Sequence, residues 1–190
     1  MGMSTPTSTT TTTDIPDRNG AIDLDGVHAF DFYEGRWIVH NRKLTNMLDP
    51  TCDEWIEFDA VSDCWITLGG LGNFDTFDVA EMPSAAGASL GAFKGMTMRL
   101  YDPERDVWKI WWASTSRPGR LDPPVEGRFV DGCGVFECED ELDGVPIVVR
   151  FIWSEITWDT ARWEQEFSFD RGATWVKNWV MLSERVGSVS

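Results

Sequence analysis

Between Gly35 and Val186 the chain reads as strand after strand with short turns and almost no helical period, and nothing else in it restricts the fold as strongly. The runs are GRWIVHNRKL (35–44), EWIEFDAVSDCW (54–65), the Gly-broken ITLGGLGNFDTFDV (66–79), FKGMTMRLYD (93–102), VWKIWWAS (107–114), VEGRFV (125–130), VFECEDEL (135–142), VPIVVRFIWSEI (145–156), TARWEQEFSF (160–169) and TWVKNWVMLSERV (174–186). About ten strands joined in sequence order leave two raw sheet edges unless the sheet closes on itself. The expectation is therefore an all-β, single antiparallel up-and-down β-barrel of about ten strands over residues 21–186. A sandwich shares the same local turns. IDLDGVHAFDFYEG predicts a short N-terminal helical turn with Asp23 or Asp25 as cap. EMPSAAGASLG (81–91) reads as a loop of small residues that packs against nothing.

Two turns are legible in detail. Asp143-Gly144 has the chemistry of a two-residue hairpin. SFDRGATW (168–175) matches the Asp-box of sialidase propellers: Asp170 can accept from the backbone of its own turn, and Gly172 supplies positive φ. A propeller repeats that motif from blade to blade, and no second copy occurs here, so the stretch predicts a hairpin and not a glycosidase.

Residues 1–20 are Thr-rich without apolar period and predict a disordered tail, with 187–190 as a short C-terminal tail. The start lacks the basic and apolar regions of a secretion signal, and no run approaches a membrane span, so a cytoplasmic protein is expected. Net charge is −16, which argues against nucleic acid and anionic membrane as partners; a homodimer is compatible with the sequence. Cys52, Cys64, Cys133 and Cys138 form no CxxC pair and only His28 and His40 accompany them, so no metal site and no cofactor are expected. A haem reading through His40, on the strand face opposite Trp37, is the weaker option.

Eleven Trp beside eleven Phe are more bulk than a small core needs, which leaves rings to line a cavity. The candidate ligand-binding residues are Trp55, Arg99, Trp111, Arg150, Trp153, Trp163, Gln165 and Trp179. Gln165 shares a strand face with Trp163 and Phe167, and Arg150 is a polar residue set among apolar ones.

FDFYEGRWIV, with Phe32, Gly35 and Trp37, resembles the Gly-x-Trp opening of lipocalin-like (calycin) barrels. The ordered phrases EWIEFDAVSD, LGGLGN, GMTMRLYDPERDVWKIWWAS, GRLDPPVEGRF, VRFIWSEIT and ARWEQEFSFDRGATWVKNWVM resemble a little-characterised bacterial family of lipocalin-like domains. The resemblance implies that Trp37 plugs the barrel base beside an Arg from the end of the last strand, for which Arg185 is the positional candidate. It also implies an interior that takes small, largely apolar molecules, in some cases for reactions of secondary metabolism.

Two functions follow as expectations. One is binding of a small, ring-containing hydrophobic or aromatic ligand in a Trp-lined cavity. The other is a cofactor-free isomerase, cyclase or dehydratase in the same cavity, with Glu57 and Arg150 as a catalytic acid/base or anion-holding pair. The chain carries no nucleophile elbow, phosphate-binding glycine loop or metal triad.

Overall fold

The structure, a computed structural model, describes residues 21–187. The tail expected over residues 1–20 and most of the C-terminal tail lie outside the described residues.

Ten strands follow in order: β1 (Gly35–Leu44), β2 (Trp55–Thr67), β3 (Gly72–Val79), β4 (Phe93–Asp102), β5 (Val107–Ser114), β6 (Val125–Val130), β7 (Cys133–Leu142), β8 (Val145–Ser154), β9 (Thr160–Ser168) and β10 (Val176–Arg185). Each pairs antiparallel with its sequence neighbours, and β1 pairs with β10 to close the barrel. The ladder is uneven. β5 and β6 meet only at Trp108–Gly127, Lys109–Glu126 and Ile110–Val125; above Ile110 the segment 115–124 is tied to β5 by a backbone bond from the Asp122 N–H to the Trp112 carbonyl (2.9 Å).

Strand pleating sorts side chains into an interior set and an exterior set. Trp37, Val39 and Asn41 of β1 face in, opposite Ser62, Ala60 and Phe58 of β2. The turns are as their residues dictate: Asp143 and Gly144 both take positive φ (52° and 82°), as a two-residue hairpin of right-handed strands requires. In the SFDRGATW turn, Asp170 Oδ1 accepts from the Thr174 N–H (2.8 Å) and Asp170 Oδ2 from the Thr174 hydroxyl (2.6 Å). These bonds and that from Ser168 hold the Asp170 carboxyl down at about 2.

The narrow end is plugged before β1 begins. The expected short helical turn is there as two 3-10 turns, Gly26–His28 and Asp31–Tyr33; Asp25 occupies the N-cap position of the first without a side-chain cap bond. They drop Phe30 and Phe32 into a cluster with Trp108, Phe129, Phe136 and Trp153, mostly edge to face, such as Phe30 on Trp108 at 5.1 Å and 80°. Such pairs add about 0.5–1.5 kcal/mol each beyond their burial. Arg185 then clamps the plug. Its guanidinium lies 4.2 Å from the Trp37 ring centroid and donates to the carbonyls of Phe32, Glu34 and Trp158. Gly35 makes room: at φ 108° its missing Cβ would stand 2.8 Å from the Arg185 guanidinium. The closed end is thus the Trp–Arg pairing that the lipocalin-like resemblance implied.

One local expectation changes. Segment 81–91 is not idle: Met82 packs against the core, and the chain doubles back through Met82 N–H to Gly91 O (2.9 Å) and a Pro83–Ser89 bridge. The glycine break expected within 66–79 is the 3-10 turn Leu68–Gly70, in which Leu68, Gly69 and Gly70 all have positive φ. No helix among the described residues is long and apolar enough to cross a membrane.

Candidate functional site

Above the plug the barrel encloses a cavity of about 180 Å³. Its wall is aromatic and aliphatic: Phe77, Phe93, Trp112, Phe151, Trp163 and Trp179 among others. Several rings meet edge to face, with Trp163 on Trp179 at 5.8 Å and Trp112 on Trp179 at 6.5 Å. Trp112 lies over Gly95 of the neighbouring strand, where a Cβ would come within 2.1 Å of its ring. A glycine at that point lets the indole lie against the wall.

The floor is polar. Arg99 and Asp75 are both almost fully buried and joined at 2.6 Å, and a second bond runs from Arg99 Nη1 to Asn73 Oδ1 at 2.9 Å. The guanidinium is packed among Phe30, Tyr33 and Trp153, with centroids 5.1–5.6 Å away. Burial pushes the Asp75 carboxyl above the usual carboxylate range, and the Arg99 charge pulls it back. The pair is net neutral, yet two donors of the floor, Arg99 Nε and Trp153 Nε1, are buried without a partner. Unmatched buried donors cost about 1–3 kcal/mol each unless a water or ligand oxygen meets them.

Part of the wall is set by a β-bulge. Register slips between Lys177 and Trp179, so Val176 and Trp179 both face in and Asn178 is an extra, fully buried residue. Asn178 Oδ1 accepts from Gln165 Nε2 (2.8 Å), whose remaining donor points to Met47 Sδ (3.7 Å). Gln165 therefore offers its Oε1 to the cavity as an acceptor.

Lys43 is the surprise of the wall. It follows Trp37, Val39 and Asn41 on the inward face of β1 and lines the cavity, with Nζ 3.8 Å from the Trp179 ring centroid. Burial holds its ammonium down at about 8. Cys138, also in the lining, goes the other way: burial, then Asp140 and Asp122, push its thiol up to about 12.

Of the residues expected from sequence, Arg99, Trp153, Trp163, Gln165 and Trp179 line this one space. The other four point outward. Trp55 and Glu57 share the outer face of β2, where Arg42 covers the Trp55 ring at 4.6 Å and stands 4.0 Å from an exposed Glu57. Trp111 is on the outer face of β5, one residue out of phase with the lining Trp112 and Ile110. Arg150 bonds Glu137 at 2.6 Å, approaches Glu166 at 3.6 Å and lies 3.5 Å from the Trp175 centroid, all outside the barrel. The expected Glu57–Arg150 catalytic pair is therefore corrected: both are surface groups with other partners, and the buried acid–base couple is Asp75–Arg99. His40 is likewise exterior, bonded to Asp59 at 2.7 Å, and cannot reach a ligand inside. Sequence reasoning missed Lys43, Asn73, Asp75, Phe77, Phe93 and Trp112. Strand parity with Trp37 and Val39 was the available signal for Lys43, and parity with Val79 for Asp75 and Phe77. Among the described residues no group of three His, Cys, Asp or Glu is placed to hold a metal ion.

A closed ten-stranded meander around an internal cavity, plugged by a Trp–Arg pair, is a lipocalin-like barrel. Among solved structures the chain is similar to that of the S-type phycobiliprotein lyase CPES from Guillardia theta, with a TM-score of 0.54 and 12% identity over 84% of this chain and 91% of that one. At that identity the likeness is one of fold. No protein-family model matches the chain, and no curated protein matches it significantly.

Proposed function

We propose that the barrel binds a small, largely apolar, ring-containing molecule in its cavity. The observation that carries this is the pairing of an aromatic wall with two partnerless floor donors, Arg99 Nε and Trp153 Nε1. Rings supply contact area, and a few convergent polar groups orient the ligand, as in most small-molecule sites. Because Asp75 already neutralises Arg99, the floor favours a carbonyl, ether or phenol oxygen over a second full anion. Catalysis by Asp75 as a general acid/base is the rival reading. Its carboxylate is pinned to Arg99 at 2.6 Å, which favours an orienting floor over a proton carrier.

The test is a titration of the full chain with 2-naphthylmethanol, followed by Trp emission. Saturable one-to-one quenching is expected, and Val149→Trp, which fills the cavity from β8, should abolish it while leaving a folded barrel destabilised by about 1–3 kcal/mol. Quenching that survives the filled cavity would place the ligand elsewhere and sink the proposal.

A further inference from the structure

We infer that Lys43 forms a reversible imine with an aldehyde-bearing, ring-containing ligand of this cavity. The inference rests on the binding reading above and adds a covalent step to it.

The chain has four lysines. Lys94, Lys109 and Lys177 are each ion-paired to a carboxylate: Asp78, Asp102 and Glu164. Lys43 stands apart. None of the carboxylates lining the cavity pairs with it among the described residues: Asp75 is held by Arg99 and Asp122 by Arg117 at 3.0 Å, and Asp140 Oδ1 accepts from the Glu141 N–H. Its only described partner is the face of Trp179. A lysine kept in an apolar wall without a counter-ion is costly as a salt-bridge donor and useful as an amine.

The other nucleophiles of the lining are less suited. Burial drives the thiol of Cys138 and the phenol of Tyr33 toward their protonated forms. The Ser114 and Ser116 hydroxyls bond each other at 2.8 Å. Burial moves Lys43 the opposite way, so roughly a tenth of the molecules carry the free amine at neutral pH.

The step balances without an oxidant or reductant. The ammonium gives one proton to water, and the nitrogen lone pair attacks the carbonyl carbon. The resulting carbinolamine takes up a proton and loses its oxygen as water, leaving a protonated imine. One positive charge is present before and after, so the contact with the Trp179 face is retained. In register, Lys43 on β1, Trp179 on β10 and Gln165 on β9 form one row across the wall, which puts the Gln165 acceptor in the same row as the amine.

The experiment treats the full chain at pH 8 with 2-naphthaldehyde and sodium cyanoborohydride, and reads intact mass and a peptide map. One naphthylmethyl addition on Lys43 is expected, at least about tenfold faster than on Lys94, Lys109 or Lys177, each held in an ion pair with a carboxylate. Lys43→Arg keeps the cation and should lose the adduct, while the slow labelling of Lys94, Lys109 and Lys177 stays as in the wild type. Equal labelling of all amines, the chain's α-amine included, would overturn the inference. So would quenching by both naphthalenes with no mass change, which leaves the binding reading intact. Absence of both quenching and adduct would overturn the two readings together.

Discussion

Replacing Lys43 by Met should make the protein more stable at pH 7, and the gain should fade as pH rises. The ammonium is displaced from 10.5 to about 8 in the folded barrel. At about 1.36 kcal/mol per pKa unit, that displacement is a folding penalty of about 3 kcal/mol at most. The side chain keeps some solvent, and the cation–π attraction to Trp179, which Met cannot replace, is worth about 0.5–2 kcal/mol, so a net gain of about 1–2 kcal/mol is expected. The sign follows from proton counts. Below pH 8 the folded and unfolded chains both carry the proton, and wild type bears the penalty in full. Between about 8 and 10.5 the unfolded chain binds more protons than the folded one, so wild-type stability climbs with pH relative to the variant. Above about 10.5 the penalty is gone. Urea unfolding followed by Trp fluorescence at pH 7, 9 and 10.5 measures the difference directly, and groups that titrate alike in both proteins cancel from it. A variant less stable at pH 7, or a difference that does not change with pH, would show that Lys43 is solvated or paired and refute the argument.

Arg185→Met should lower stability by about 3 kcal/mol, since it removes the stack on Trp37 and three charge-assisted bonds to carbonyls at the closed end; Lys at this position should recover little, because one ammonium cannot span Phe32, Glu34 and Trp158. A urea midpoint close to wild type for either variant would count against the clamp. For Asp170, a folded-state value of about 2 lies below the unfolded one, so its contribution is present above about pH 4 and is lost as pH falls toward 2. Thermal midpoints of wild type and Asp170→Asn should therefore differ at pH 7 and converge between pH 4 and 2; a constant gap would mean that the carboxylate charge is not what secures the turn.

The barrel was legible in the sequence because strand alternation and turn chemistry are local properties. TARWEQEFSF shows both faces cleanly, and Trp163, Gln165 and Phe167 do face in. Phase is harder where both faces carry rings. In VWKIWWAS a single-residue step separates the lining Trp112 from the exterior Trp111, and the choice depends on Gly95, on a neighbouring strand, leaving space for an indole. Arg150 misleads for a related reason: Val148 and Ile152 beside it are half-buried on the outer face, so their apolar character does not mark an interior. Asp75 and Lys43 break the ordinary pattern of charged residues outside. What places Asp75 there is its partner Arg99 on the next strand, a pairing that exists only once the register is set. The β10 bulge defeats alternation outright, since one inserted residue makes both faces of the sequence look mixed.

A closed sheet can admit or release a molecule only through its open rim or by parting two of its staves. The ladder between β5 and β6 is the shortest of the ten, three residue pairs, and Ser114, Ser116, Arg117 and Asp122 of the cavity lining belong to the end of β5 and the loop beside it. For a guest bound as proposed and leaving by this join, residence time and affinity would be governed by different residues. Tightening the aromatic wall would change how well a guest is held, whereas stitching this one join would change how long it stays.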